Sequence, residues 1–234
     1  GETKMPEDSN PGFSKEDQEL CLIYFTLPMS LNYQRDSYKL WQAALKTLQD
    51  PNTRQVFDLK LSANLNENLL RDNIRKHKLA LQPNKHTNNW KTISKTIIDN
   101  WGSITNLLES ADYDFLKLQE IIQKTHKSGF PYLSGPKIFN YWCFILGEYC
   151  NIKLKNKDQI GIAPDTHVTK ASIKLGILSK EESTTISKED LSQRWKDILK
   201  DSGINPIDMH PPLWFWSRNK FIFDLDPKDE LESE

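Results

Sequence analysis

The sequence predicts an all-α protein, and three observations carry that expectation. Apolar residues recur at helical spacing in one segment after another: Leu20, Ile23, Tyr24 and Leu27, then Tyr38, Trp41, Ala44, Leu45 and Leu48, then Trp90, Ile93, Ile97 and Trp101. Strand-like alternation is scarce, with Phe221-Ile222-Phe223 the one convincing short candidate. Helix start and stop signals punctuate the rest: Ser14 with Asp17, Ser187 with Asp190, Pro136 after Gly135, and Gly102 and Gly203 as terminators.

Taken in order, residues 1–12 hold Pro6, Pro11 and Gly12 and are expected to be a disordered tail. A first helix starts at Ser14 and is interrupted by Pro28. A second, over 33–49, ends at Asp50-Pro51-Asn52. A short apolar piece at 56–61 precedes a helix over 67–77. Residues 78–87 read as a loop around Pro83, with Asn88-Asn89 capping the next helix and Gly102 stopping it. A short turn at 103–109 and an amphipathic stretch at 116–125 follow. Further helices are expected over 137–149, 166–175 and 189–201, and residues 224–234 form an acidic tail.

A chain of 234 residues buries a substantial core. No apolar run approaches membrane-spanning length and no signal-peptide pattern opens the chain, so no membrane partner is expected. The three cysteines, Cys21, Cys143 and Cys150, are sparse and odd in number. This suits a reducing, intracellular compartment, with thiols serving as small core residues, and excludes a four-cysteine iron–sulfur cluster. His126 and His210 lack partners at metal-ligand spacing, so no metal site is expected. The net charge is −1, but residues 1–12 carry −2 and residues 224–234 carry −5, leaving +6 on the body between them. A modestly positive body is compatible with a nucleic-acid face without demonstrating one. Lys76, Lys78, Lys85, Lys91 and Lys95 are candidate phosphate contacts, although most read better as a solvated helix face.

The most informative stretch runs over 130–176. Tyr132-Leu133-Ser134-Gly135-Pro136-Lys137 reads as a tight turn feeding a helix, with Gly135 supplying positive φ and Pro136 at the first helical position. Pro164-Asp165-Thr166-His167-Val168 follows, with Asp165 placed as a helix N-cap. A helix N-terminus beside a lysine is a natural phosphate site.

These two segments resemble the helix-hairpin-helix DNA glycosylase superfamily, the group of endonuclease III and the 8-oxoguanine glycosylases. Its members carry a Leu-Pro-Gly-Val-Gly-x-Lys hairpin and then Val-Asp-Thr-His-Val. Here one hairpin glycine is missing, and the Lys-to-Asp separation of 28 residues is longer than in the best-known members, which an insertion over 151–159 would explain. By register the resemblance implies that Lys137 is the nucleophile and Asp165 the essential carboxylate. It implies that Tyr132, Leu133, Ser134, Gly135 and Pro136 bind DNA, with a monovalent cation on the hairpin carbonyls and no other cofactor. It also implies two helical lobes, 13–60 with 180–223 against 61–179, with the active-site cleft between them. The partner would be double-stranded DNA containing a damaged, oxidised base, bound by a monomer.

The residue chemistry is consistent with that role. A lysine attacks an anomeric carbon only when neutral, and desolvation lowers its pKa. A carboxylate beside the sugar stabilises its developing positive charge. Taken singly, a lysine in a first helical turn is usually a solvated charge, and an Asp before Thr-His is usually only a cap. His167 reads as structural. Trp214 and Trp216 admit two readings, a stacking pocket for an extruded base or simple core packing. Two functions therefore stand: a glycosylase with lyase activity acting through a Lys137 Schiff base, or a non-catalytic protein that keeps the scaffold to bind DNA or a partner.

Overall fold

The computed structural model describes residues 4–222. Among these residues the chain is all-helical, with eleven α-helices joined by short 3-10 segments. One isolated bridge, Asp114 with Lys155, is the only extended pairing among them. Phe221 and Ile222, expected as a strand, follow the last helix as a turn and irregular chain, while Phe223 and the 224–234 segment lie outside the described residues.

Most helix ends fall where local chemistry puts them. The Ser14 hydroxyl donates to Asp17 Oδ2 at 2.8 Å, and α1 runs Gln18–Thr26 until Pro28 opens a 3-10 turn. Helix α2, Ser37–Gln49, starts later than the spacing predicts because Asp36 Oδ1 accepts the Lys39 N–H at 3.0 Å. Helices α3 (Leu59–Asn64) and α4 (Glu67–Lys76) follow. Helix α5, Pro83–Asn100, takes in half of the expected 78–87 loop, since Pro83 at the first helical turn starts a helix rather than blocking one. Ser103 Oγ caps α6, Ile104–Ser110, where only a turn is expected. Helix α7 is Phe115–Glu120, continued by a π turn, Ile121–Thr125. Then come α8 (Pro136–Cys150), α9 (Thr166–Lys174), α10 (Lys188–Leu199) and α11 (His210–Arg218). Helix α11 is not evident from periodicity because Pro211 and Pro212 fill its first turn.

The buried side chains form two cores. The larger draws on α1 to α8, with Tyr24, Trp41, Trp90, Phe139 and Trp142 among its fully buried residues. The smaller gathers Ile162, Val168, Ala171, Leu178, Leu191, Trp195 and Leu213 around α9, α10 and α11. This corrects the expected partition. Residues 13–60 share their core with 61–160, and the buried side chains of the late helices gather with α9, although α11 also reaches α2, where Trp214 and Arg218 meet the Tyr38 ring. The cause is the seating of α1 along α8. The buried Trp142 indole donates to Thr26 Oγ1 at 3.0 Å, and Gln18 Nε2 donates to the Cys150 carbonyl at 2.7 Å. All three cysteines are free and buried, as small core residues should be.

The expected disordered N-terminal tail is also corrected. Residues 4–12 are ordered, and Pro6–Asp8 form a 3-10 turn. Hydroxyls on three helical tyrosines fasten it: Tyr38 to the Lys4 carbonyl (2.7 Å), Tyr24 to the Ser9 carbonyl (2.6 Å) and Tyr149 to Asp8 Oδ1 (2.9 Å). Glu7 is fully buried and accepts the Trp41 indole N–H at 2.8 Å. Proline-rich composition suggested disorder, but aromatic hydroxyls far along the chain supply the partners.

The α1–α8 contact gives a direct test. Thr26→Val keeps the shape but leaves the buried Trp142 N–H without an acceptor. A loss of about 1–3 kcal/mol in urea unfolding with an unchanged m-value is expected.

Candidate active site

A cleft of about 900 Å³ opens at the seam between the two cores. Lys137 and Asp165, 28 residues apart in sequence, both line it. Lys137 comes from the first turn of α8 and Asp165 from the cap of α9.

Helix α8 can serve the cleft because its faces divide. Phe139, Trp142, Cys143 and Leu146 are buried in the larger core, while Lys137, Asn140 and Tyr141 face the cleft. Lys137 and Tyr141 stand four residues apart and so lie on one face. Lys137 is open to solvent through the cleft mouth, yet the surrounding walls strip away enough water to lower its pKa from the ordinary lysine value. The negative charge of Asp165 opposes that shift and the positive charge of Lys188 adds to it.

Asp165 Oδ1 accepts the backbone N–H groups of both His167 and Val168, each at 2.9 Å. One oxygen therefore carries the whole cap, and Oδ2 remains for the cleft. The carboxylate can cap a helix and face a substrate together, so the two roles weighed from sequence do not compete. The approach to it, residues 159–164, is clamped from two helices. Asn140 Nδ2 donates to the Gly161 carbonyl (3.1 Å), Ser192 Oγ to the Ile162 carbonyl (2.9 Å) and Lys196 Nζ to the Gln159 carbonyl (2.7 Å). A Cβ at Gly161 would collide with Ser192 Oγ, which accounts for glycine there.

The hairpin departs from expectation. Gly135 has φ −66°, an ordinary extended value, and the left-handed position is Tyr132 at φ 62°. The N–H groups of Leu133, Ser134 and Gly135 turn inward to the carbonyls of Pro131, Phe130 and Tyr132, and the Leu133 side chain is buried in the core. These groups are not free to meet a phosphate. The available donors are the N–H groups of Lys137 and Ile138, because Gly135 offers no capping side chain. Tyr132, Gly135 and Pro136 still line the cleft; the Tyr132 ring lies 5.4 Å from that of Tyr33, with Lys85 Nζ 4.8 Å above it.

The two tryptophans separate. Trp214 lines the cleft, with Arg218 over its ring and His167 edge-on at 5.4 Å. Trp216 packs against the smaller core beside Phe221. His167 also lines the cleft, and its ring nitrogen Nδ1 meets Ser217 Oγ at 3.2 Å. Of the middle lysines, Lys76 pairs with Asp50, Lys95 with Asp99, and Lys91 donates to the Leu65 carbonyl. Among the described residues no three His, Cys, Asp or Glu side chains gather as metal ligands.

Two cleft residues escaped the sequence reading. Glu7 lies fully buried at the cleft's edge, and His210 packs 4.8 Å from the Tyr141 ring with its Nδ1 buried and unpartnered. Burial pushes the His210 pKa down to about 4, against the attraction of Asp165. No local signal marks either residue; they become visible only when α2, α8 and α11 meet.

No family model, curated protein or solved structure matches this chain.

Two outcomes check this geometry. Ring-carbon NMR titration of His210 is expected to show a midpoint well below 6, because the neutral ring is the one burial favours. Gly135→Ala should fold with a stability change of no more than about 1 kcal/mol, since its backbone needs no positive φ and a Cβ meets only the Tyr132 carbonyl at 3.2 Å.

Proposed function

We propose that the protein is a DNA glycosylase with an abasic-site lyase step, removing an oxidised base from duplex DNA. The observation that carries this reading is the partly desolvated Lys137 facing Asp165 in a cleft whose size falls in the range of small-molecule sites. On this reading the two cores are the lobes of a helix-hairpin-helix glycosylase scaffold. A monomer inside the cell grips one strand at the start of α8 and draws one nucleotide into the cleft.

The chemistry follows from the pair. The lowered pKa raises the fraction of Lys137 present as free amine. Its Nζ bonds to C1′ as the glycosidic C1′–N bond breaks, and the base leaves with that electron pair and takes up a proton. Asp165 offsets the positive charge on the sugar while the bond lengthens. Nζ then gives up a proton, the ring oxygen leaves C1′ with the bonding pair and takes up a proton, and a Schiff base remains. Loss of a C2′ proton expels the 3′-phosphate, and water releases the amine.

Borohydride trapping on duplexes carrying oxidised bases tests the assignment. Lys137→Gln should give no trapped complex while retaining duplex affinity. Asp165→Asn, which still caps α9, should slow excision by about 10²–10³ with little loss of stability. Excision by Asp165→Asn at near the parental rate would reduce Asp165 to a cap, and a parent chain that neither excises nor is trapped would leave the non-catalytic reading.

A further inference from the structure

The N-terminal segment carries a buried acid and is held by contacts that a few residues can lose together. Glu7, in the 3-10 turn Pro6–Asp8, is fully buried; Oε1 accepts the Trp41 indole N–H at 2.8 Å, and Oε2 has no hydrogen-bond partner. Of the three tyrosine ties on this segment, those to the Lys4 carbonyl and to Asp8 lie at the surface. Behind it, Gly12 takes a left-handed φ of 72°, and no atom stands within 4 Å of where its Cβ would be. The next residue, Phe13, packs on the Tyr24 ring at 5.4 Å and against the larger core. The chain thus has a pivot at Gly12 and an anchor at Phe13. Met5, Pro6 and Glu7 line one end of the cleft together with Tyr141.

We propose that residues 4–12 are a strap along the cleft, latched while the buried Glu7 carboxyl is protonated and loosened when it ionises. The device is independent of the reaction assigned to the cleft. A neutral carboxyl with one unpartnered oxygen is a modest cost in a buried site, whereas an unpaired charge there is a large one. The cheapest way to rehydrate that charge is to lift the short segment that bears it, since Phe13 and everything after it can stay packed. Lifting it takes Met5 and Pro6 off the cleft and opens that end beside Tyr141.

The surroundings of Glu7 make the charge costly. The groups that face it are Asp8 beside it, Tyr24 on α1, Trp41 on α2, and Tyr141 and Tyr149 on α8. Asp8 bears the full charge among them, and it is negative; the Tyr141 hydroxyl is close enough to ease the charged form. From α11, His210 packs on the Tyr141 ring and is held neutral, and Arg218 lies over the Tyr38 ring, whose hydroxyl holds the Lys4 carbonyl. Burial pushes the Glu7 carboxyl from its ordinary value of 4.5 up to about 7. An acid held above its ordinary value docks best when protonated. The latch is therefore at full strength below about 4.5, weakens as pH rises to about 7, and stays at its weakest above that. Glutamine would accept the Trp41 N–H equally well and would not titrate.

Amide hydrogen exchange of the full chain, followed by NMR across neutral pH with intrinsic exchange rates divided out, tests the strap. The opening constant of the Asp8 and Ser9 amides, whose N–H groups bond to the Met5 and Pro6 carbonyls, should rise about tenfold per pH unit up to about 7 and level off above it. The Trp41 indole N–H resonance should shift with the same midpoint, because its acceptor is the titrating carboxyl. Amides in the middle of α8 should keep their protection throughout. In Glu7→Gln the strap amides and the indole resonance should be level with pH. Tyr38→Phe, which removes one surface tie, should raise the opening constant several-fold at every pH without moving the midpoint. The parent profile needs no variant, so it decides the matter even if Glu7→Gln does not fold. Strap protection that is level with pH in the parent overturns the proposal. So does a slope that survives in Glu7→Gln, or α8 amides that lose protection in step with the strap.

Discussion

Helix α8 has to satisfy two environments at once, and the rest of the structure is arranged to let it. Its inner face is aromatic and fully buried: Phe139 and Trp142 have no exposed surface, and the Trp142 indole is tied to Thr26 on α1. Its outer face carries a lysine, an amide and a phenol into the cleft. Burying the first face costs no polar group its partner, because Thr26 meets the indole N–H. That seating fixes the second face, which would otherwise turn with the helix. The position of Lys137 is thus set by hydrophobic packing on the opposite side of its own helix.

The second constraint is the path of residues 159–165. Past the 3-10 turn that ends at Gln159 this segment has no regular structure of its own, so its carbonyls need partners from elsewhere. Asn140 on α8 and Ser192 and Lys196 on α10 provide them. The same bonds that satisfy the backbone tie the two cores together and deliver Asp165 to the cleft that Lys137 lines. Because both N–H bonds of the cap fall on one oxygen, the helix start holds the carboxylate in orientation without consuming it. Positioning and chemistry share one side chain at the cost of neither.

Electrostatics in the cleft follow from partial burial. Lys137 is crowded but reaches water, so desolvation weakens its hold on a proton while Asp165 partly restores it. His210 is more deeply enclosed and is held neutral. Glu7, in the same recess, retains its proton to about neutrality. Three groups with different ordinary pKa values are each shifted toward their uncharged forms. A cleft that penalises charge in this way strengthens each polar contact a ligand makes inside it.

The sequence by itself determined what depends on neighbours a few residues away. Apolar spacing of 3–4 residues gave the all-helical class. Ser103, Asp165 and Ser187 occupy caps because a short side-chain oxygen reaches N–H groups two or three residues on. The two residues brought together in the cleft, Lys137 and Asp165, were legible as a pair. Tertiary structure alone decided how the helices divide into two cores, that Tyr132 and not Gly135 takes the left-handed turn, and that Trp214 and Trp216 part company. It also decided that Glu7, in a segment whose composition suggests disorder, is buried beside the cleft and held by Trp41, 34 residues away. Helix propensity and capping are local energies and are written locally. The burial of a carboxyl depends on which distant side chains close over it, and no short stretch of sequence records that.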